Sequence, residues 1–285
     1  VYNNRASFLL NDEQQMLLEK QYKGFSRNGA NLSEDKKIQL RSIDGQLSKL
    51  ALTFGENVLA ETNAFELLLS NEEELEGMPE GAKEGAKQTA SEKGKEGWMI
   101  TLDYPSYVPF MKYAKNRALR EKLSRAFGAR AFQNNPQNNE QNVLDIVRLR
   151  HQRSQLLGYK SHAHFVLEER MAETPQKVHS FLKELLVKAK PAAQKEFDEL
   201  EAFAKELDQI DHLQKWDSAY YAEKLKQQKF SLDDEQLKPY FKLENVIQGV
   251  FTVAKKLFNL HFKEDTTIDS YHEDVKTYRV LDKDG

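Results

Sequence analysis

Cysteine is missing altogether from the 285 residues, which excludes a disulfide framework, a thiolate nucleophile and any cysteine-based metal site. Glycine and proline are scarce, at 13 and 7, so the punctuation of a many-stranded sandwich or barrel is lacking. With 39% hydrophobic and 31% charged residues, the balance is that of a soluble, helix-rich protein. An excess of charge of either sign is missing too. The 42 Lys+Arg nearly cancel the 45 Asp+Glu, and a net −3 gives no field to draw in nucleic acid or an anionic membrane. No apolar run approaches the roughly 20 residues that span a bilayer. The opening VYNNRASFLLND has no signal-peptide pattern. These features point to a cytoplasmic protein, with a periplasmic setting as the alternative if an export signal precedes Val1, which is not a start methionine.

Several catalytic signatures are also missing. A zinc hydrolase needs two histidines at i and i+4 on a helix with a glutamate beside the first, so that both imidazoles reach one ion and the carboxylate deprotonates its water. The seven histidines are His151, His162, His164, His179, His212, His261 and His272, and no two are four apart. On a helix, His162 and His164 point about 200° apart. His164 and Glu168 are spaced to form an exposed hydrogen-bonded pair instead. Arg148, Arg150 and Arg153 flank His151, and in a near-neutral chain they read as a solvated helix face with acidic neighbours. Gly81, Gly85, Gly94 and Gly97 match neither a phosphate-binding loop nor a dinucleotide fingerprint, and no Gly-x-Ser-x-Gly elbow occurs. The acidic runs Glu72-Glu73-Glu74 and Asp233-Asp234-Glu235 read as helix starts.

What the chain does have is helical periodicity. Asn11 caps a first helix, and Arg27-Asn28-Gly29 turns the chain. Ser33 opens a helix carrying Leu40, Ile43, Leu47, Leu50, Phe54 and Val58 three and four residues apart. Trp98 to Leu102 reads as a short strand, followed by one helix from Pro105-Ser106 through Leu119 to Phe127 and then a polar, Asn-rich loop, 132–142. Beyond it lie helices with a Gly158 exit and with caps at Ser161 and Thr174. The Thr174 helix aligns Val178, Phe181, Leu182, Leu185, Phe197, Leu200 and Leu207, with a kink expected at Pro191. Asp217 reads as an N-cap, stapled by Trp216 and Tyr221. The segment Leu243 to Phe258 fits period 3.6 throughout. Thr277 to Leu281 alternates like a strand, and Asp282-Lys283-Asp284-Gly285 is turn chemistry. A partner strand is therefore expected after Gly285, and the chain reads as a cut through a larger fold. A subdivision into 1–131 and 143–285 follows from the polar loop. Tyr220, Tyr221 and Tyr240 suit either the wall of a peptide channel or a core.

WDSAYYAEKLKQQKFSLDDEQLKPYF (216–241), ENVIQGVFTVAKKLFNLHF (244–262) and YHEDVKTYRVLDKDG (271–285) together carry a resemblance. So do KNRALREKLSRAFGARA (115–131) and LRHQRSQLLGYKSHAHFVLEERMAETPQKV (149–178). The chain resembles the thimet oligopeptidase and neurolysin family of zinc metallopeptidases upstream of the catalytic motif, and most resembles the peptidyl-dipeptidase branch. The resemblance implies a mainly α protein, the helical lobe of a two-lobed peptidase that admits short peptides through a narrow channel. It implies zinc in the intact enzyme, with the zinc helix downstream of Gly285 and none bound by 1–285. On this reading the segment is inactive alone, and faces exposed by truncation promote self-association. The competing reading is a freestanding helical adaptor that binds peptides or partner helices.

Overall fold

The computed structural model describes all residues, 1–285, and is mainly α. The helices are α1 (Asp12–Arg27), α2 (Glu34–Ala64), α3 (Glu80–Glu92), α4 (Tyr104–Tyr113), α5 (Arg117–Gly128), α6 (Glu140–Leu156), α7 (His162–Leu167), α8 (Pro175–Asp208), α9 (Ser218–Phe230) and α10 (Leu243–Phe258). Two antiparallel ribbons complete it: β1 (Leu67–Leu69) with β2 (Trp98–Ile100), and β3 (His261–Glu264) with β4 (Tyr278–Leu281). The chain forms two compact units, Val1–Leu225 and Lys226–Gly285. The polar loop 132–142 lies inside the first of them.

Local chemistry sets the helix ends. Asn11 and Gln14 form a reciprocal capping box on α1, which satisfies two otherwise orphaned donors. The Thr174 hydroxyl accepts from Lys177 N–H at 3.2 Å, with Pro175 in the first helical position. Gly158 (φ +85°) and Asn259 (φ +55°) supply the left-handed exits of α6 and α10.

In the first unit α2 packs along α6. The pair is clasped by Asn139, whose side chain accepts from Asn57 at 2.8 Å and donates to the Phe54 carbonyl at 3.0 Å, and by Arg153 on Asp44 at 2.6 Å. A separate core forms where β1, β2, α3, α4 and α5 meet around Leu69, Leu75, Ile100, Phe110 and Leu123. The expected single helix through 105–127 is in fact two. The chain leaves helix at Ala114, and the Asn116 side chain caps a new one by accepting from Leu119 N–H at 3.2 Å.

In the second unit α10 lies on β3. Phe251 stacks on Phe262 at 4.2 Å and meets Tyr278 edge-on at 5.0 Å. The strand at 278–281 already has one partner upstream, pairing in register with β3, Phe262 opposite Val280. Asp265 closes this ribbon, its carboxylate held well below the usual range by bonds from Thr267 and Arg279. The sequence reading missed β3 because His261–Glu264 is too short and too polar to alternate visibly.

α8 departs most from its sequence reading. It runs unbroken through Pro191, yet the residues aligned as a core face are largely uncovered. Every residue from His179 to Glu199 is exposed, Phe181, Leu182 and Leu185 included. Only its ends are packed, the N-terminal turn against α7 and the C-terminal end through Leu200, Phe203 and Ala204 against α9.

Gly97 enters β2 at φ +103°, and a Cβ there would stand 2.3 Å from the Leu69 carbonyl oxygen of β1. Backbone cannot yield as a side-chain tip can. Gly97→Ala is therefore expected to cost about 2 kcal/mol or more, read as a lowered urea midpoint. Gly81→Ala, which meets nothing within 4 Å, is expected to be neutral or stabilising.

Candidate functional site

The structure brings Tyr220 and Tyr221 together on the first turn of α9, ring centroids 5.1 Å apart and edge to face. Both are buried, in the cluster with Ala204, Leu200 and Phe203. Neither ring offers a face to a peptide. Tyr240 lies in the second unit and is 78% exposed.

The chemistry around the two buried tyrosines is set by Asp217, the residue before α9. Its carbonyl accepts from Tyr221 N–H at 3.0 Å, which starts the helix. Its carboxylate, 0% exposed, accepts both Nε and Nη2 of Arg117, at 2.9 and 2.7 Å. It also accepts Nη2 of Arg120 at 3.3 Å and the Gln214 amide at 3.0 Å. Arg120, 1% exposed, donates further to the carbonyls of Ala114 (2.7 Å), Lys115 (3.0 Å) and Trp216 (3.1 Å). It thereby satisfies the frayed end of α4. Its guanidinium lies 4.0 Å from the centre of the Tyr220 ring. Tyr221 donates its hydroxyl to Asp208 at 2.9 Å, and Lys112 reaches the buried Glu223 at 2.9 Å.

These contacts set the protonation states. Burial on its own would raise Asp217, but the Arg117 bonds, the Gln214 amide and Arg120 outweigh it, and the carboxyl titrates below its ordinary value. Burial and the bond to Asp208 push the Tyr221 phenol well up. Both shifts favour the forms these bonds need, an ionised Asp217 that accepts and a protonated Tyr221 that donates, so the cluster is built to hold structure. Sequence reading missed Arg117 and Arg120. Their spacing of three after the Asn116 cap is the one signal that places both on one face.

The other candidates are dispersed. His164 Nδ1 pairs with the Ser161 hydroxyl at 2.8 Å. Glu168, expected opposite it, is taken instead by Arg27 and by the Tyr159 hydroxyl. Arg148 pairs with Asp145 on a solvated helix face as expected, whereas Arg153 departs from that reading, its largely buried side chain reaching Asp44 and lying over the Phe165 ring. No three His, Asp or Glu side chains stand close enough together to hold a metal ion, so the residues present do not fit a zinc centre. A cleft of about 470 Å³ beside α3 is lined by Gly81, Gly85, Thr89, Asp103 and Ser106 among others, with no histidine. No helix is long and apolar enough to cross a membrane.

Asp217→Ala leaves Arg120 charged and buried, and is expected to cost about 3 to 5 kcal/mol in unfolding free energy. Arg117→Ala, at a side chain 40% exposed, is expected to cost about 1 kcal/mol. Because the folded carboxyl titrates below the unfolded value of about 3.9, the stability it contributes is present above that pH. It is lost as the pH falls toward the folded value. Acid unfolding of the Asp217→Ala variant is thus expected to lose part of the steep limb below pH 4, and an unchanged limb would refute the assignment.

Comparison with known proteins adds what the geometry does not. Residues 110–285 match Peptidase family M3. Oligopeptidase A of Salmonella typhimurium is 39% identical over 280 residues, 97% of this chain and 41% of the relative. Oligopeptidase A of Escherichia coli gives the same figures, 39%, 97% and 41%. The dipeptidyl carboxypeptidase of Escherichia coli is 32% identical over 287 residues, 100% of this chain and 42% of the relative. The chain thus spans about two fifths of the length of these relatives, and over that span its helical segments, the caps between them and the Asp217 cluster are those of a protein that belongs to Peptidase family M3.

Proposed function

We propose that this chain forms the helical, non-catalytic portion of a cytoplasmic zinc-dependent oligopeptidase or peptidyl-dipeptidase acting on short peptides. The observation that carries the reading is the match of residues 110–285 to Peptidase family M3 in a chain that spans two fifths of its relatives and assembles no ligand set of its own. Zinc, when bound in such an enzyme, supplies an activated water. The share of these residues is shape: a rigid wall that limits substrate size and holds an extended peptide in place. Identity is higher to the two oligopeptidase A relatives than to the dipeptidyl carboxypeptidase, which favours internal cleavage of oligopeptides over removal of C-terminal dipeptides. Of the three tyrosines, Tyr240 keeps the channel-wall role, since its ring is open. Tyr220 and Tyr221 are buried in the first unit and serve its packing rather than contact with peptide.

Residues 1–285 are expected to release no fluorophore from a quenched oligopeptide and to retain no zinc after dialysis. The same residues joined to the downstream part of an oligopeptidase A relative are expected to turn the peptide over. In that joined enzyme Tyr240→Ala should raise KM several-fold with kcat nearly unchanged. Stoichiometric zinc and turnover by residues 1–285 alone would sink the proposal.

A further inference from the structure

The corner where α1, α6 and α7 meet holds a histidine that the proposed function does not use. His162 opens α7, directly after the Ser161 cap. Its Nδ1 is buried without a hydrogen-bond partner, and its ring lies 6.4 Å from that of Phe165, tilted by 30°. Phe165 is the centre of the corner. The Arg27 guanidinium of α1 lies 4.5 Å from its ring centre, and that of Arg153 of α6 lies 5.0 Å from it. Arg27 also donates to the Phe165 carbonyl at 2.6 Å and to the Tyr159 hydroxyl at 3.1 Å. The carboxylates around the corner are already engaged. Asp44 of α2 accepts from Arg153 at 2.6 Å. Glu168 is held by Arg27 and, at 2.8 Å, by the Tyr159 hydroxyl, and Glu169 by Lys23 of α1 at 2.5 Å. At the start of α8 Lys177 pairs with Glu173, and within α7 His164 is held by Ser161 at 2.8 Å.

A neutral imidazole fits here with a bare lone pair on Nδ1 and its proton on Nε2. The imidazolium carries a proton on both nitrogens, so its Nδ1–H would be buried without an acceptor. Burial first, and then the Arg150 and Arg153 charges of α6, hold His162 below the ordinary histidine value. We propose that His162 makes α7 an acid-sensitive latch, closed while the imidazole is neutral and opened when protonation turns the ring out to water. Opening withdraws the Phe165 ring and carbonyl from Arg27 and frees Arg27 and Lys23 of α1. The six residues of α7 include no buried one, so the latch opens with little loss of apolar contact. The core of β1, β2, α3, α4 and α5 is separate and stays closed. Because the folded histidine titrates below the unfolded value of about 6.5, the closed form is favoured in full above that pH. The preference is lost as the pH falls from there toward the folded value, and falls no further below it.

Two measurements on the 285-residue chain test this. Proton NMR of its histidines, with the His162 signal assigned by its loss in His162→Gln, is expected to show His162 titrating below about 6.5. Hydrogen exchange is then compared at about pH 7.5 and about pH 5.5, on either side of the ordinary histidine value, with intrinsic rates divided out. The Phe165 and Glu168 amides, bonded to the Ser161 and His164 carbonyls, are expected to lose protection several-fold at the lower pH, and the core amides of Ile100 and Leu123 are expected to keep theirs. In His162→Gln, which has no proton to gain, protection of α7 should be the same at both. Arg150→Gln removes one of the two charges and should raise the His162 titration. A substitution that loosens α7 at every pH leaves the wild-type titration and Arg150→Gln to decide. A His162 that titrates at or above the ordinary value overturns the proposal, as does an α7 whose protection ignores pH, or a pH response that survives in His162→Gln.

Discussion

A carboxylate withdrawn from water between two guanidinium groups decides how the end of the first unit is built. Asp217 and the two arginines stand about a hundred residues apart in sequence, and bringing them together costs each its hydration. The cost is offset by the partners these groups find in one another: the carboxylate accepts from four donors, and Arg120 serves three carbonyls besides. Such a cluster tolerates one arrangement. It fixes the break between α4 and α5, because the carbonyls freed there become its acceptors, and it fixes where α9 begins.

That constraint also disposes of two tyrosines. Once Asp217 starts α9, the next residues but two are forced inward. Tyr220 lies under the Arg120 guanidinium, and Tyr221 is aimed at Asp208 at the end of α8. Aromatic rings with hydroxyl groups suit a peptide-binding wall and a satisfied core equally well, and position in the chain does not separate the two. What separates them is whether each hydroxyl has a partner within the protein, and for Tyr221 it does, in Asp208. The polar groups here are spent on each other.

The helices were largely legible because their signals are local. The Asn11 box, the Thr174-Pro175 start and the Gly158 and Asn259 exits each involve a few neighbouring residues. The break at Ala114–Asn116 was not legible, because it depends on Arg120 folding back and on Trp216 and Asp217 arriving from a hundred residues away. β1 and β3 escaped notice for a related reason: strands of three and four residues are too short to establish a period. The absence of a histidine pair was readable outright. The membership in Peptidase family M3 was readable from long words rather than from a catalytic motif.

The stripe on α8 shows where periodicity stops being informative. Six turns of helix without tertiary support are marginal in water, and Pro191 removes the hydrogen bond that the Val187 carbonyl would otherwise accept. The helix persists through local means: the Glu184–Lys188 pair at 2.6 Å, the Gln194–Asp198 bond at 2.8 Å and a run of alanines. Polar residues at 182, 186 and 197 would serve those local needs as well as leucine and phenylalanine do, with less apolar surface held in water. Helix formation therefore does not account for the stripe, and neither does the core of the first unit, which reaches only as far as Leu200.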